Sequence, residues 1–169
     1  MFPAVREFDR VVAENGALLW EPATERIAIL APPPPPALWR TLRAKHVRPL
    51  ARGAIILATT DPHEPVLRRA LRRLAPRFRI VRNRESLMVL PAGVDKASGL
   101  RWALADLGIS AACTIAIGDG ENDVSLLRAA GSGVAVANAV PRLRQRATWV
   151  THAPAGAGVV ELIGRLLER

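Results

Sequence analysis

Long hydrophobic stretches are missing from this chain. Its longest apolar runs, Gly53 to Ala58 and Thr114 to Gly118, fall far below the roughly 18 consecutive apolar residues that a membrane helix needs, so no membrane span is expected. Cysteine is almost missing as well. Cys113 stands alone, which excludes an internal disulfide and a cysteine-based zinc site and agrees with a reducing compartment; the residue itself reads as a small packing side chain. Nor does a long apolar stretch follow Met1 to Arg10, where Arg6, Glu7, Asp9 and Arg10 are mixed with apolar residues, so this segment does not read as a signal peptide. A cytoplasmic setting is the expectation. Lysine is scarce, Lys45 and Lys96 being the only two, yet 24 Lys and Arg against 15 Asp and Glu give a formal charge of +9. Such an excess invites anionic partners. A charge made almost wholly of arginine, in a chain rich in alanine and proline, also follows from coding-sequence composition. The arginine-rich stretch from Arg68 to Arg84 offers only Phe78 for base stacking, and without a recognition motif nucleic-acid binding is not expected.

What is present is enough apolar residue, half of 169, to bury one core with a small appended lobe. Val11 to Ala13 and Arg26 to Leu30 flank Glu14-Asn15-Gly16 and Glu21-Pro22, which is hairpin chemistry. Five consecutive prolines, Pro32 to Pro36, form a stiff extended spacer suited to a boundary between lobes. Beyond them the pattern predicts a small α+β lobe: a helix over Ala37 to Ala44, a strand over Ala54 to Thr59, a helix over Pro65 to Leu74, and strands over Arg79 to Val81 and Ser86 to Leu90. The second of these helices places Leu67, Ala70, Leu71 and Leu74 on one face and Arg68, Arg69, Arg72 and Arg73 on the other, the period of a helix with one buried side.

From Lys96 onward short apolar strands alternate with helices: a helix to Leu107, a strand Thr114 to Gly118, a helix Asp123 to Ala130, a strand Val134 to Ala137, a helix Pro141 to Ala147, a strand Trp149 to Thr151 and a helix Val159 to Leu167. Strands separated by helices predict βαβ units and a parallel sheet. Ligands of open parallel sheets bind outside the carboxyl ends of the strands. There the segment Gly118-Asp-Gly-Glu-Asn-Asp123 delivers Asp119, with Asp123 one helical turn later able to point back. Two carboxylates at a wet crevice suit Mg2+, a hard cation that takes oxygen ligands. Gly118 and Gly120 keep the turn tight, and Asn122 can hold the loop or a metal ligand. Simple capping of the following helix is the competing reading. Upstream, Asp95 can cap the helix that Lys96 begins, and an ammonium in a helix's first turn, beside free backbone donors, makes a phosphate anchor if it is not just a surface lysine.

Gly93-Val-Asp-Lys-Ala97, then a helix, then Gly118-Asp-Gly-Glu-Asn-Asp123, then Val134-Ala-Val-Ala-Asn-Ala139 resembles the third and fourth motifs of haloacid dehalogenase-type phosphatases with a cap inserted in the core, of the Cof-like and sucrose-phosphatase-like kind. Val12-Ala-Glu-Asn-Gly-Ala17 is similar to the hairpin before that cap, and Ala155-Gly-Ala-Gly-Val-Val160 to the turn into the last helix. The resemblance implies an α/β, Rossmann-like parallel-sheet core over 1–31 and 89–169, incomplete on its N-terminal side, with a small α+β cap over 32–88. It implies a Mg2+-dependent phosphohydrolase of small phosphorylated metabolites. Lys96 would steady the phosphoryl group, Asp119 would bind the metal, Asp123 would support the metal shell, and Asn138 would lie at a neighbouring strand end beside the substrate. The family's first motif, Asp-x-Asp-Gly-Thr, which supplies nucleophile and acid/base, does not occur: none of Asp9, Asp61, Asp95, Asp106, Asp119 and Asp123 stands in such a string. The strand-terminal Ser or Thr of the second motif is not found either, Thr59 and Thr60 falling within the cap. A truncated reading frame, a split gene and a degenerate relative would each leave this pattern, and weak activity or none is expected of the chain alone. A non-catalytic module that keeps phosphate and metal affinity is the alternative.

Overall fold

The computed structural model describes residues 3–168, which form two compact units, one ending at Ala103 and the other starting at Leu104. The first unit opens with β1 (Val11–Ala13), β2 (Leu18–Glu21) and β3 (Arg26–Ile29), an antiparallel sheet in the order β1-β2-β3. Both expected turns are there, but β2 is an additional strand: Leu18 to Trp20 pair with β1 on one side and with β3 on the other. The turn between β1 and β2 puts Glu14, Asn15 and Gly16 at φ of 50°, 55° and 103°, a left-handed run that is costly for Glu14 and easy only for glycine.

After the prolines, Pro36 serves as the first residue of α1 (Pro36–Ala44), a position where its missing N–H is not needed. A four-stranded antiparallel sheet follows, in the order β4 (Ala51–Arg52), β5 (Leu57–Thr60), β7 (Ser86–Pro91), β6 (Phe78–Asn83), with α2 (Glu64–Leu74) between β5 and β6. Leu38 and Leu42 of α1 and Leu67, Ala70 and Leu71 of α2 pack with Leu57, Leu87 and Val89 of the sheet into one buried cluster. The apolar face anticipated for α2 is therefore the buried one, and its arginines are exposed. β4 is too short and too exposed to carry a readable pattern.

The helix α3 (Lys96–Leu107) leads to the second unit. There β8 (Ile115–Gly118), β9 (Ser132–Ala135) and β10 (Trp149–Val150) form a parallel sheet in the order β10-β9-β8, connected through α4 (Val124–Ala129) and α5 (Pro141–Arg144), with α6 (Ala155–Leu167) last. This is the mixed α/β architecture that the alternating pattern predicts. Ala116, Leu127, Ala135, Val136, Ala139 and Leu143 make its core. Several boundaries moved: β9 ends at Ala135 rather than Ala137, α5 at Arg144 rather than Ala147 and β10 at Val150 rather than Thr151, while α6 starts at Ala155 rather than Val159. β9 starts at Ser132 rather than Val134 because Ser132 and Gly133 pair with Ile115 and Ala116 of β8, and Gly133 packs beneath Leu127, where a Cβ would come within 2.9 Å of the Leu127 Cβ. The helix expected from Asp123 is a tight turn over Glu121–Asp123 followed by α4. Among the described residues no helix is long and apolar enough to cross a membrane.

Candidate functional site

All three strands of the second unit run parallel, so their carboxyl ends, at Gly118, Ala135 and Val150, lie in register. Beyond β8 the chain turns sharply, and Asp123 is what shapes the turn. Its Oδ2 accepts hydrogen bonds from the backbone N–H of Asp119 at 3.0 Å and of Gly120 at 2.9 Å. The Asp123 side chain is all but inaccessible, at 3% exposure, and it lies against Gly118, where a Cβ would sit 2.6 Å from both its Cβ and its Cγ. A glycine is thus required at the strand end for steric reasons alone. The carbonyl of Asp119 accepts from Val140 N–H at 2.9 Å, which ties the loop to the turn after β9. Asp119 itself is half-buried, as is Asn122, while Gly120 is buried.

The neighbouring strand ends are organised by the same means, side chains gripping backbone. Thr151, just after β10 and only 3% exposed, donates its hydroxyl to the Ala153 carbonyl at 2.6 Å and accepts from Ala137 N–H at 3.2 Å. Asn138 is exposed, and its Oδ1 accepts from Ala155 N–H at 2.9 Å, holding the first turn of α6. Glu161 on α6 closes the loop: its carboxylate accepts from Ala153 N–H at 2.9 Å and from His152 N–H at 2.9 and 3.1 Å, and meets the His152 ring at 2.8 Å. The Ala153 N–H, then the His152 ring and the His152 N–H, lower the Glu161 carboxyl from 4.5 to about 2. Because the folded-state value lies below the unfolded one, the charged carboxylate's contribution to stability is complete above about pH 4.5 and fades as pH falls towards 2. Glu161→Gln is therefore expected to unfold at lower temperature than the parent at pH 7, with the gap closing across that acid window. A gap that stays constant from pH 7 to pH 2.5 in thermal unfolding would show that the carboxylate's charge is not the cause.

Lys96 stands in the first unit as the first residue of α3 and is half-buried. The helix start is capped as expected. Ser98 N–H donates to Asp95 Oδ1 at 2.8 Å, and Asp95 N–H donates to Ser98 Oγ at 3.0 Å, the reciprocal arrangement that satisfies a helix's first donors. Arg79 of β6 adds a hydrogen bond to the Val94 carbonyl at 2.8 Å and approaches Asp95 Oδ2 at 3.7 Å. On the other side the β1–β2 turn presses against this helix start: a Cβ on Gly16 would lie 1.9 Å from the Asp95 carbonyl oxygen, and one on Gly99 would lie 2.6 Å from Gly16 Cα. The Asn-Gly turn, read from sequence as hairpin chemistry only, thus also fixes the backbone that presents Lys96.

One residue that the sequence did not single out bridges the hairpin and the lobe. Glu14 Oε1 accepts from Ala54 N–H at 2.7 Å, and Oε2 from Ile55 N–H at 2.7 Å and Ile56 N–H at 3.0 Å. Three successive amides cradle one carboxylate. Only the positive φ of Glu14 could have hinted at this, and φ is not visible in a sequence.

The structure thus brings Gly118, Asp119, Gly120 and Asp123 into one loop at a strand's carboxyl end. As a donor set, Asp119 and Asp123 fit Mg2+ in kind, being hard carboxylate oxygens. They fit it in part in number, since no group of three or more His, Cys, Asp or Glu that could hold a metal occurs among the described residues.

A family model described as haloacid dehalogenase-like hydrolase matches residues 53–163. The chain is 45% identical over 89 residues to phosphoglycolate phosphatase 2 of Saccharolobus solfataricus, a match covering 53% of this chain and 38% of that protein. It is 47% identical over 75 residues to the phosphoglycolate phosphatase of Archaeoglobus fulgidus, covering 44% of this chain and 34% of that one. The matched stretch therefore spans little more than a third of these curated relatives. Among solved structures, a haloacid dehalogenase-like hydrolase from Bacteroides thetaiotaomicron superposes with a TM-score of 0.79 at 23% identity, over 95% of this chain and 78% of that one. A sugar phosphatase of subclass IIB superposes with a TM-score of 0.72 at 20% identity, over 94% and 76% of the two chains. At these identities the likeness is one of fold.

Proposed function

Since this chain belongs to the haloacid dehalogenase-like hydrolases, we propose that it carries the phosphate-anchoring and metal-binding part of a Mg2+-dependent phosphohydrolase acting on small phosphorylated metabolites. The observation that carries the reading is the loop after β8, where Asp123 holds the amides of Asp119 and Gly120 and so fixes Asp119 at the strand's carboxyl end. In this reading Asp119 holds Mg2+ directly, and Asp123 keeps the loop in shape and adds its charge to the metal's surroundings. The bound ion would neutralise charge on the phosphoryl group and orient it. Lys96, set rigidly by the Asp95–Ser98 cap, anchors the phosphoryl group as a point charge. Asn138, committed to Ala155 N–H, keeps its amide group for the substrate side. The lobe over 32–88 acts as the cap that selects among substrates. The named relatives act, by their names, on phosphoglycolate and sugar phosphates, both small phosphorylated compounds, which supports the substrate class. A cytoplasmic setting goes with this reading.

Three of the chain's aspartates are already committed. Asp61 is paired with Arg82, Asp95 caps α3, and Asp123 is buried. Binding is therefore the property to test first. Calorimetric titration of Mg2+ in the presence of phosphate is expected to show at least a tenfold loss of affinity in Asp119→Asn, and Lys96→Ala is expected to weaken phosphate by a similar factor. Equal Mg2+ affinity in the parent and Asp119→Asn would remove the assignment.

A further inference from the structure

The seam between α1 and α2 carries a concavity that has no part in the proposed reaction. It measures about 210 Å³ and is lined by Lys45 and Thr41 of the α1 side and by Val66, Arg69, Arg73 and Leu74 of α2. Helical spacing explains the lining. Leu67 and Leu71 point into the lobe's core, so the stripe one position further round, Val66, Arg69 and Arg73, turns to the seam. Lys45, Arg69 and Arg73 are all exposed, and none has an ion-pair partner among the described residues.

Arg72 of α2 also has no ion-pair partner among the described residues, so what sets these three cations apart is the hollow that they line. On the same helix Arg68 is paired with Glu64, which also binds Arg82. Arg69 and Arg73, four residues apart, share a face and repel one another without a carboxylate between them, and Lys45 adds a third positive charge across the seam. A merely solvated basic face is convex; here the three cations rim a hollow with apolar Val66 and Leu74 in its wall. We propose that this seam is a second anion site, for a small phosphorylated compound carrying at least two negative charges. Two guanidinium forks and an ammonium suit phosphate oxygens, and the apolar wall suits a short carbon skeleton. The volume is below the usual size of a drug-like pocket, and no aromatic lines it, so neither a nucleobase nor a nucleic-acid strand finds a stacking surface.

The 169-residue chain titrated with inorganic pyrophosphate at moderate ionic strength, followed by calorimetry and amide chemical shifts, tests this. The seam site is expected to bind pyrophosphate, with shifts at Ala70 and Leu74. Arg69→Ala combined with Arg73→Ala is expected to weaken that binding at least tenfold without moving the thermal unfolding midpoint, whereas Arg68→Ala leaves it within twofold. Lys96→Ala should leave the seam shifts in place. If pyrophosphate binding disappears in Lys96→Ala and persists in the seam double variant, the anion sits only at the candidate phosphate anchor and the proposal falls. It falls equally if pyrophosphate gives no seam shifts while a single-stranded oligonucleotide binds there.

Discussion

Incubated with Mg2+ and p-nitrophenyl phosphate, the 169-residue chain is expected to release nitrophenol at a rate close to background. A polypeptide that also carries an Asp-x-Asp-Gly-Thr segment, folded with it or added in trans, is expected to exceed it by on the order of 10^4 to 10^6 in turnover, the scale on which enzymes lose rate when a covalent nucleophile is removed. In the proposed reading Lys96 anchors the phosphoryl group and Asp119 holds the metal, and neither attacks, which leaves water as the nucleophile. Positioned charges alone still give modest acceleration, so slow Mg2+-dependent turnover agrees with the proposal. Fast turnover of the chain as given, surviving repurification and lost in Asp119→Asn, would mean that another residue attacks and that the roles set out above are wrong. Inactivity of the supplemented protein across a panel of phosphorylated acids and sugars would count against a phosphohydrolase altogether.

A second large effect is expected at Asp123. Replacing it with Ala leaves the N–H groups of Asp119 and Gly120 without their acceptor in a buried turn and opens a void over Gly118. At about 1–3 kcal/mol for each of the two stranded donors, the loss is about 2–6 kcal/mol. For a chain of this size that lowers the unfolding midpoint by roughly 5–15 °C. Asp123→Asn keeps an oxygen for the two amides and is expected to cost only about 1 kcal/mol, yet to weaken Mg2+ because a charge is gone. Thermal unfolding and metal titration of both variants separate the two roles. If Asp123→Ala is as stable as the parent, the carboxylate does not hold the loop; if Asp123→Asn binds Mg2+ like the parent, its charge does not serve the metal.

How much of this was legible beforehand depended on whether the cause was local. α3 was bounded at Lys96 and Leu107 from sequence because Asp95 caps one end and Gly108 follows the other. Asp119 was placed at a strand's carboxyl end because an apolar run breaking into Gly-Asp-Gly has few other solutions in an alternating βαβ pattern. β2 was missed because Leu18-Leu-Trp-Glu sits between two turns and gains its partners only when the chain has gone up and back. The start of β9 was misjudged because Ser132 and Gly133 read as turn residues, and only the packing of Leu127 explains why a glycine belongs in that strand. Asp123 was anticipated as a metal ligand or a cap; its full burial and its hold on two amides come from the fold of the loop. Glu14 was invisible in its role, since its partners lie about 40 residues away.

The grip of Glu14 has a consequence for how sequences of this shape can vary. The carboxylate reads only main-chain donors at positions 54, 55 and 56, and every amino acid except proline offers the same donor there. The junction between hairpin and lobe is therefore indifferent to the identity of the residues it holds. Its one compositional demand on the lobe is next door, at Gly53, where any Cβ would come within 2.3 Å of Glu14 Oε1. A lobe could change its surface, its grooves and its ligand while remaining docked by the same attachment, provided that a glycine followed by three non-proline residues is kept. Such an attachment lets the lobe vary as an exchangeable part, with its fixing point written in the backbone.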